Sequence, residues 1–216
     1  TFRICNYDLN HFAISGEIAE NDDFINVGVV YTSPFILRVA KKLSVHHFGN
    51  LVIERSLNFD PKLLNLSDNK YLDGYWSSEK YFQDISSILR KEFVLRDEMS
   101  VLSKKIATEI LSSNAVSLHI RRGDRVTDAY TNSIYGVVSQ DYYKAAIKII
   151  VNKIANPHFF IFSDDPEWAK SNLKLSYPYT FSEGNGSERN YEDLSLMSLC
   201  KHNIIPNSTF GWWGAW

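Results

Sequence analysis

The feature that most constrains this chain is a regular alternation, from residue 116 onward, of short apolar runs with segments of helical period. The runs 116–120, 158–162, 179–182 and 203–206 have the length and composition of strands. Between the first two, Ser139 caps a predicted helix with Tyr143, Ala146, Ile147, Ile150, Val151 and Ile154 on one face, ended by Asn156-Pro157. Asp165-Pro166 starts a second helix, and Asn190 caps a third that runs to Cys200. Strands alternating with helices imply a parallel sheet covered on both faces. Such sheets bind ligands beyond the carboxyl ends of their strands. That rule selects three stretches: HIRRGD at 119–124, SDD at 163–165 and NSTFGWWGAW at 207–216.

The preceding half has weaker signals. Ser33-Pro34 followed by Ile36, Val39, Ala40 and Leu43 predicts a short helix, and Asp60-Pro61 and the polar run 65–69 predict turns. Ser77-Ser78 is expected to cap a helix carrying Phe82, Ile85 and Leu89, and Asp97 to cap another with Met99, Leu102, Ile106 and Ile110 on one side. The break at Ser112-Ser113-Asn114 sets an expected domain boundary, giving regions 1–113 and 114–216. A chain of 216 residues accommodates one to two domains. The 23 basic and 25 acidic residues leave a net charge of −2. No broad positive field exists to draw in nucleic acid or an anionic membrane. No apolar run approaches the roughly 18 residues of a bilayer span, and the first ten residues lack the pattern of a signal peptide. Cys5 and Cys200 read as thiols rather than a disulfide framework. Both ends fall within running sequence, so the chain reads as a fragment.

Arginine suits anion recognition because its planar fork gives two parallel charge-assisted hydrogen bonds to one phosphate. Arg121 and Arg122 at a strand's carboxyl end therefore suggest a phosphate site, with Gly123 turning the backbone and Asp124 orienting a guanidinium. The competing reading pairs one arginine with Asp124 or Asp128 and leaves the other solvated. Asn207, Ser208 and Thr209 form a donor-rich helix start suited to an anion, or else they cap their own helix while Trp212, Trp213 and Trp216 enter the core. Asp193 either closes the start of the helix after Asn190 or accepts hydrogen bonds from a guanine or ribose. Asp164-Asp165 resembles a metal-binding pair, but Asp165 precedes Pro166 as a cap would, and no metal is expected. His46-His47 lacks zinc-site spacing. GxSxG, Walker A and GxGxxG stretches do not occur.

HIRRGD, FSDDPEW at 162–168 and the stretch 192–216, in that order and spacing, together with DGYWSSEKYF at 73–82, resemble the alpha-1,2-fucosyltransferase family, glycosyltransferase family 11, most closely its bacterial members. The resemblance implies an α/β fold of GT-B type with two facing Rossmann-like halves. The first, 1–113, would be a partial acceptor-side domain incomplete at its N-terminus, since the family's opening GLGNQ segment would precede Thr1. The second, 114–216, would be a GDP-sugar-binding domain truncated at its C-terminus. The implied activity is metal-independent, inverting transfer of fucose from GDP-fucose to the 2-hydroxyl of a galactose-terminated glycan, with no cofactor.

By the same resemblance Arg121 would hold the donor's beta-phosphate and Arg122 would support the loop. His119 and Asp193 would contact guanosine, Ser208 and Thr209 would donate to the diphosphate, and Asn207 would lie inside the cleft. An inverting transfer needs a base on the acceptor hydroxyl. Asp128 is the candidate, with Asp124 structural. Two other readings stay open: a noncatalytic carbohydrate- or nucleotide-binding module using Trp76 as a stacking platform, and a metal-dependent glycosyltransferase using Asp164-Asp165. A bacterial-type member would be cytoplasmic, with possible peripheral association at the inner membrane, and a eukaryotic one would reside in the Golgi. The sequons at Asn65, Asn185 and Asn207 read as accidental.

Overall fold

The computed structural model describes residues 7–27, 47–48, 50–54 and 56–216. The helix expected from Ser33, Cys5 and His46 lie outside the described residues. By its internal contacts the chain divides into one unit made of Val94–Trp216 with the stretch ending at Ala13, and another of Ile14–Phe93.

The Ile14–Phe93 unit contains a three-stranded sheet. Strand β1 (His47–Phe48) pairs antiparallel with β2 (Leu51–Ile53), which pairs in parallel with β3 (Tyr71–Asp73). Helix α1 (Asn21–Asn26) begins with a reciprocal cap between Glu20 and Asp23. The helix expected after Ser77-Ser78 is broken into two single turns of 3-10 helix, Glu79–Tyr81 and Gln83–Ile85, before α2 (Ser86–Glu92). Ser78, which precedes the first turn, supplies no side-chain cap, and α2 starts after Ile85 without one.

The larger unit contains the predicted parallel sheet. Its strands are β4 (Asn114–Ile120), β5 (Pro157–Ser163), β6 (Tyr179–Phe181) and β7 (His202–Ile204), in the order β6-β5-β4-β7, and every pairing is parallel. Alternation along β4 sends Val116, Leu118 and Ile120 to one face and Ala115, Ser117 and His119 to the other. Helix α6 (Gln140–Lys153) places Tyr143 and Ile147 on the first face, and α7 (Pro166–Asn172) adds Ala169. The second face is covered by α3 (Val101–Leu111) through Ile106 and Ile110 and by α8 (Asn190–Leu199) through Leu196 and Met197, with Phe160 and Phe162 between them. Full burial of each of these large side chains contributes about 1.5–3 kcal/mol.

The packing of α3 moves the domain boundary. The sequence break at Ser112–Asn114 separates two elements of a single core, because Ile106 and Ile110 pack with Ala115, Phe160 and Leu196. The contacts instead divide the chain before Val94. Caps also differ from expectation. Ser100, rather than Asp97, accepts from the backbone N–H of Ser103 at 3.1 Å to start α3. Ser100 is itself held by Glu192 of α8, whose carboxylate accepts from its N–H at 3.1 Å and its hydroxyl at 2.9 Å. Asn190 is the first helical residue of α8, not its cap, and Arg189 at the cap position supplies no capping side chain. Ser139 and Asp165 cap α6 and α7 as the sequence predicts.

Candidate active site at the strand ends

In chain order the sheet grows outward from β4 to β5 to β6, and β7 then returns to the far side of β4. The direction of growth reverses between β4 and β7, which is where open parallel sheets place their ligand crevice. The carboxyl end of β4 runs into Arg121 and the short helix α4 (Gly123–Thr127), followed by α5 (Ala129–Tyr135). The end of β7 runs through Asn207 and Ser208 into α9 (Thr209–Ala215).

Arg121 is gripped by two carboxylates, Nη2 donating to Asp124 at 2.9 Å and Nη1 pairing with Asp164 at 2.8 Å, while 35% of its side chain remains exposed. Arg122 is committed differently. Its backbone N–H donates to Asp164 at 2.7 Å, its Nε pairs with Asp165 at 3.3 Å, and its guanidinium lies 3.8 Å from the centre of a Trp168 ring. The two arginines are thus separated in role, one held at the mouth and the other fastened to α7. Gly123 permits this knot, because a Cβ there would stand 2.5 Å from an Asp164 oxygen. Asp164 and Asp165 spend their oxygens on these arginines and on the α7 cap, and no cluster of three or more potential metal ligands occurs among the described residues.

His119 is 5% exposed and its Nδ1 has no hydrogen-bond partner. The ring lies against α9, where a Cβ on Gly211 would meet Nδ1 at 2.5 Å, and its centre is 5.4 Å from that of Phe210. Burial lowers its pKa to about 4, with further lowering by the charges of Arg121 and Arg125, so the imidazole is neutral at pH 7. The glycines of FGWWG form the buried side of α9: Gly211 faces His119, and Gly214 faces Met197 of α8. The tryptophans, expected in the core, are only half-buried and pack on one another, with Trp212 and Trp213 edge to face at 5.0 Å.

Asn207 is buttressed on two sides. Its amide donates to the Tyr135 carbonyl at 2.7 Å, and its side-chain and backbone oxygens both accept from Arg125. Arg125 is 6% exposed and was not among the residues expected at the site. The only sequence signal for it is a third arginine four residues beyond Arg121, one helical turn into the loop. Ser208 holds the cap position of α9 but makes no side-chain cap there, leaving its hydroxyl uncommitted to its own helix. Thr209 opens that helix.

Asp193 neither closes the start of α8 nor stands apart. Its Oδ1 accepts from Ser182 at 2.6 Å and from Asn185 at 2.7 Å, which ties α8 to the loop after β6, and burial raises its pKa. Asn185, one of the sequons, is 6% exposed. Asp128 is exposed and caps α5, accepting from the Tyr130 N–H at 2.9 Å and the Thr131 hydroxyl at 3.0 Å, and these bonds lower its pKa. In the other unit Trp76 is half-buried and packs edge-on against Tyr81 at 5.9 Å.

Residues 44–216, which include every one of these site residues, match the family model described as glycosyl transferase family 11. The chain belongs to that family. Among curated relatives, an alpha-1,2-colitosyltransferase of Escherichia coli is 38% identical over 147 residues, 66% of this chain and 49% of the relative. The O-antigen biosynthesis glycosyltransferase WbnK of Escherichia coli is 41% identical over 113 residues, 52% of this chain and 37% of that protein. Human galactoside alpha-(1,2)-fucosyltransferase 1 is 27% identical over 154 residues, covering 67% of this chain and 42% of the human protein. The chain therefore spans about half or less of the length of these relatives. No solved structure matches. Family 11 membership confirms the resemblance read from HIRRGD and its companion motifs, and the α/β architecture with a parallel sheet agrees with it. None of the described helices is long and apolar enough to cross a membrane.

Proposed function

We propose that this family 11 chain carries the donor site of an inverting alpha-1,2-fucosyltransferase, which moves fucose from GDP-fucose to the 2-hydroxyl of a galactose-terminated glycan. The observation that carries the reading is Arg121: a guanidinium at the carboxyl end of the strand beside the crevice, partly exposed and fixed by Asp124 and Asp164. As the bond between sugar and phosphate breaks, negative charge grows on the diphosphate. A guanidinium already held in place stabilises that growing charge without reorganising. The Ser208 and Thr209 hydroxyls and Asn207 approach the same diphosphate from β7, while His119 and Asp193 serve the guanosine, and Arg122 secures the loop through Trp168.

In this reading the reaction needs no metal, because arginine supplies the positive charge and the carboxylates of Asp164 and Asp165 are occupied by Arg121 and Arg122. Asp128 acts as the base on the acceptor hydroxyl. It is ionised at neutral pH as any exposed carboxylate is, and the bonds from Tyr130 and Thr131 that lower its pKa make it a weaker base. The units Ile14–Phe93 and Val94–Trp216 belong to the acceptor-side and donor-side halves of a GT-B enzyme. The name of the relative WbnK supports a bacterial setting of surface-glycan synthesis, hence the cytoplasmic side of the inner membrane.

A second reading, transfer of colitose by the same machinery, is favoured by the 38% identity to the colitosyltransferase. The experiment is incubation of the intact protein with a galactoside and either GDP-fucose or GDP-colitose, followed by NMR of the product. A new alpha-1,2 linkage to fucose is the expected result. Transfer of colitose alone selects the second reading, and absence of both products rejects the proposal.

A further inference from the structure

The two arginines of the HIRRGD motif do not, in the free protein, offer a surplus of positive charge. Arg121 and Arg122 are knotted with Asp124, Asp164 and Asp165, two cations against three carboxylates. As a whole that group carries one net negative charge, although Arg121 still presents its guanidinium at the crevice. His119 adds no charge, since its imidazole is neutral at pH 7.

Arg125 is different. It is 6% exposed, and among the described residues it forms no ion pair. Its Nη1 and Nη2 both donate to Asn207, the latter at 2.5 Å to the backbone carbonyl, and its guanidinium faces the Tyr135 ring at 5.5 Å. All of these partners are neutral. Burying an ion without a counter-charge is costly, and neutral hydrogen bonds recover only part of the loss of water. The charge itself is therefore what requires explanation, and it sits where β4 and β7 diverge, beside the residues through which a diphosphate would be held.

We propose that Arg125 is an electrostatic positioning residue whose counter-ion is the diphosphate of the nucleotide sugar. Its charge offsets the acidic excess of the Arg121 knot, and its fork on Asn207 fixes the β7 end from which Ser208 and Thr209 project. The proposal rests on the donor-site reading above and goes beyond it in naming the residue that supplies the net attraction. Arg125 is 6% exposed and gives an N–H from each terminal nitrogen to Asn207, so it is assigned no direct contact with the phosphates. Its effect passes through space and through the loop it holds.

The test titrates the intact protein with GDP and with guanosine, which shares the base and ribose but carries no phosphate. The two variants are Arg125→Gln, which removes the charge, and Arg125→Lys, which keeps the charge and loses the fork. Arg125→Gln is expected to weaken GDP binding by about tenfold or more while guanosine binding changes by less than about threefold, because only the phosphates feel the charge. Arg125→Lys is expected to retain most of the ratio of GDP to guanosine affinity. Added KCl should weaken GDP binding more steeply in the unmutated protein than in Arg125→Gln.

Equal loss of GDP and guanosine affinity in both variants would reduce Arg125 to a structural brace and overturn the proposal, as would unchanged GDP affinity in Arg125→Gln. If Arg125→Gln does not fold, Arg125→Lys decides: a retained ratio supports the proposal, and a collapsed ratio overturns it. Failure of the donor reading looks different. An unmutated protein that binds UDP in preference to GDP rejects GDP-fucose as donor, and the same variants are then compared on UDP and uridine. An unmutated protein that binds no nucleoside diphosphate overturns both.

Discussion

Acidification is expected to weaken the folded protein through one ring, and the size of the effect follows from the burial of His119. The imidazole is 5% exposed, its Nδ1 has no acceptor, and two guanidiniums act on it, so its pKa falls from 6.5 to about 4 on folding. The unfolded chain binds this proton first as pH drops. The contribution of the neutral ring is therefore complete above pH 6.5 and is lost progressively toward the folded pKa. A displacement of that size corresponds to about 3 kcal/mol. That is a large share of the 5–15 kcal/mol that typically holds a domain folded.

Asp193, a buried carboxyl with a raised pKa, works in the opposite sense, since it favours the folded state as pH falls through its own titration. Comparison with His119→Leu removes that background. Urea unfolding of both proteins should be followed between pH 8 and pH 4, and the difference in stability plotted against pH. It is expected to be flat near and above neutrality and to move by about 3 kcal/mol against the unmutated protein as pH approaches 4. A difference that stays level across the whole range would show that the histidine is accessible and would contradict its packing against Gly211.

Three further outcomes are expected. Arg121→Lys keeps the charge but loses the fork shared by Asp124 and Asp164, and turnover should fall by about 10²-fold or more in a transfer assay. Near-normal turnover would remove Arg121 from the reaction. Asp128→Asn preserves the cap of α5, because asparagine caps as well as aspartate, so a loss of turnover of about 10²-fold with unchanged unfolding would isolate the carboxylate as the base. Full turnover at every pH would leave it a cap alone. Gly211→Ala places a methyl 2.5 Å from His119 Nδ1 and 3.3 Å from Ile205 Cβ, and should destabilise the fold by about 1–3 kcal/mol in denaturant titration.

The parts of this architecture that were legible in sequence are those decided by local chemistry. Strand β5 announces itself because the apolar run 159–162 has to be buried on both faces, and β4 because Val116, Leu118 and Ile120 alternate with Ser117 and His119. Ser139, and Asp165 followed by Pro166, start helices through bonds reaching only three residues ahead. What escaped was decided at a distance. Ser100 prevails over Asp97 as a cap because Glu192, 92 residues away, fixes it from α8. The boundary expected at residue 113 gives way because α3 packs on the sheet that follows it.

At the site, the position of HIRRGD at a strand end was readable, as was the candidacy of Arg121. The bond from Arg121 to Asp124 was readable too, whereas Asp164 and Asp165 were not, since they reach the arginines from the neighbouring strand end. Arg125 was missed for a related reason. Its role is created by Asn207, 82 residues further on, and nothing in its own neighbourhood distinguishes a buried arginine from a solvated one.

The central claim, that the crevice between β4 and β7 holds the diphosphate of a guanosine-linked sugar without a metal, is tested most directly by calorimetric titration of the intact protein with GDP and with UDP, each with and without EDTA. Selective binding of GDP with the same affinity in both buffers is expected. Preference for UDP, or binding abolished by the chelator, would contradict it.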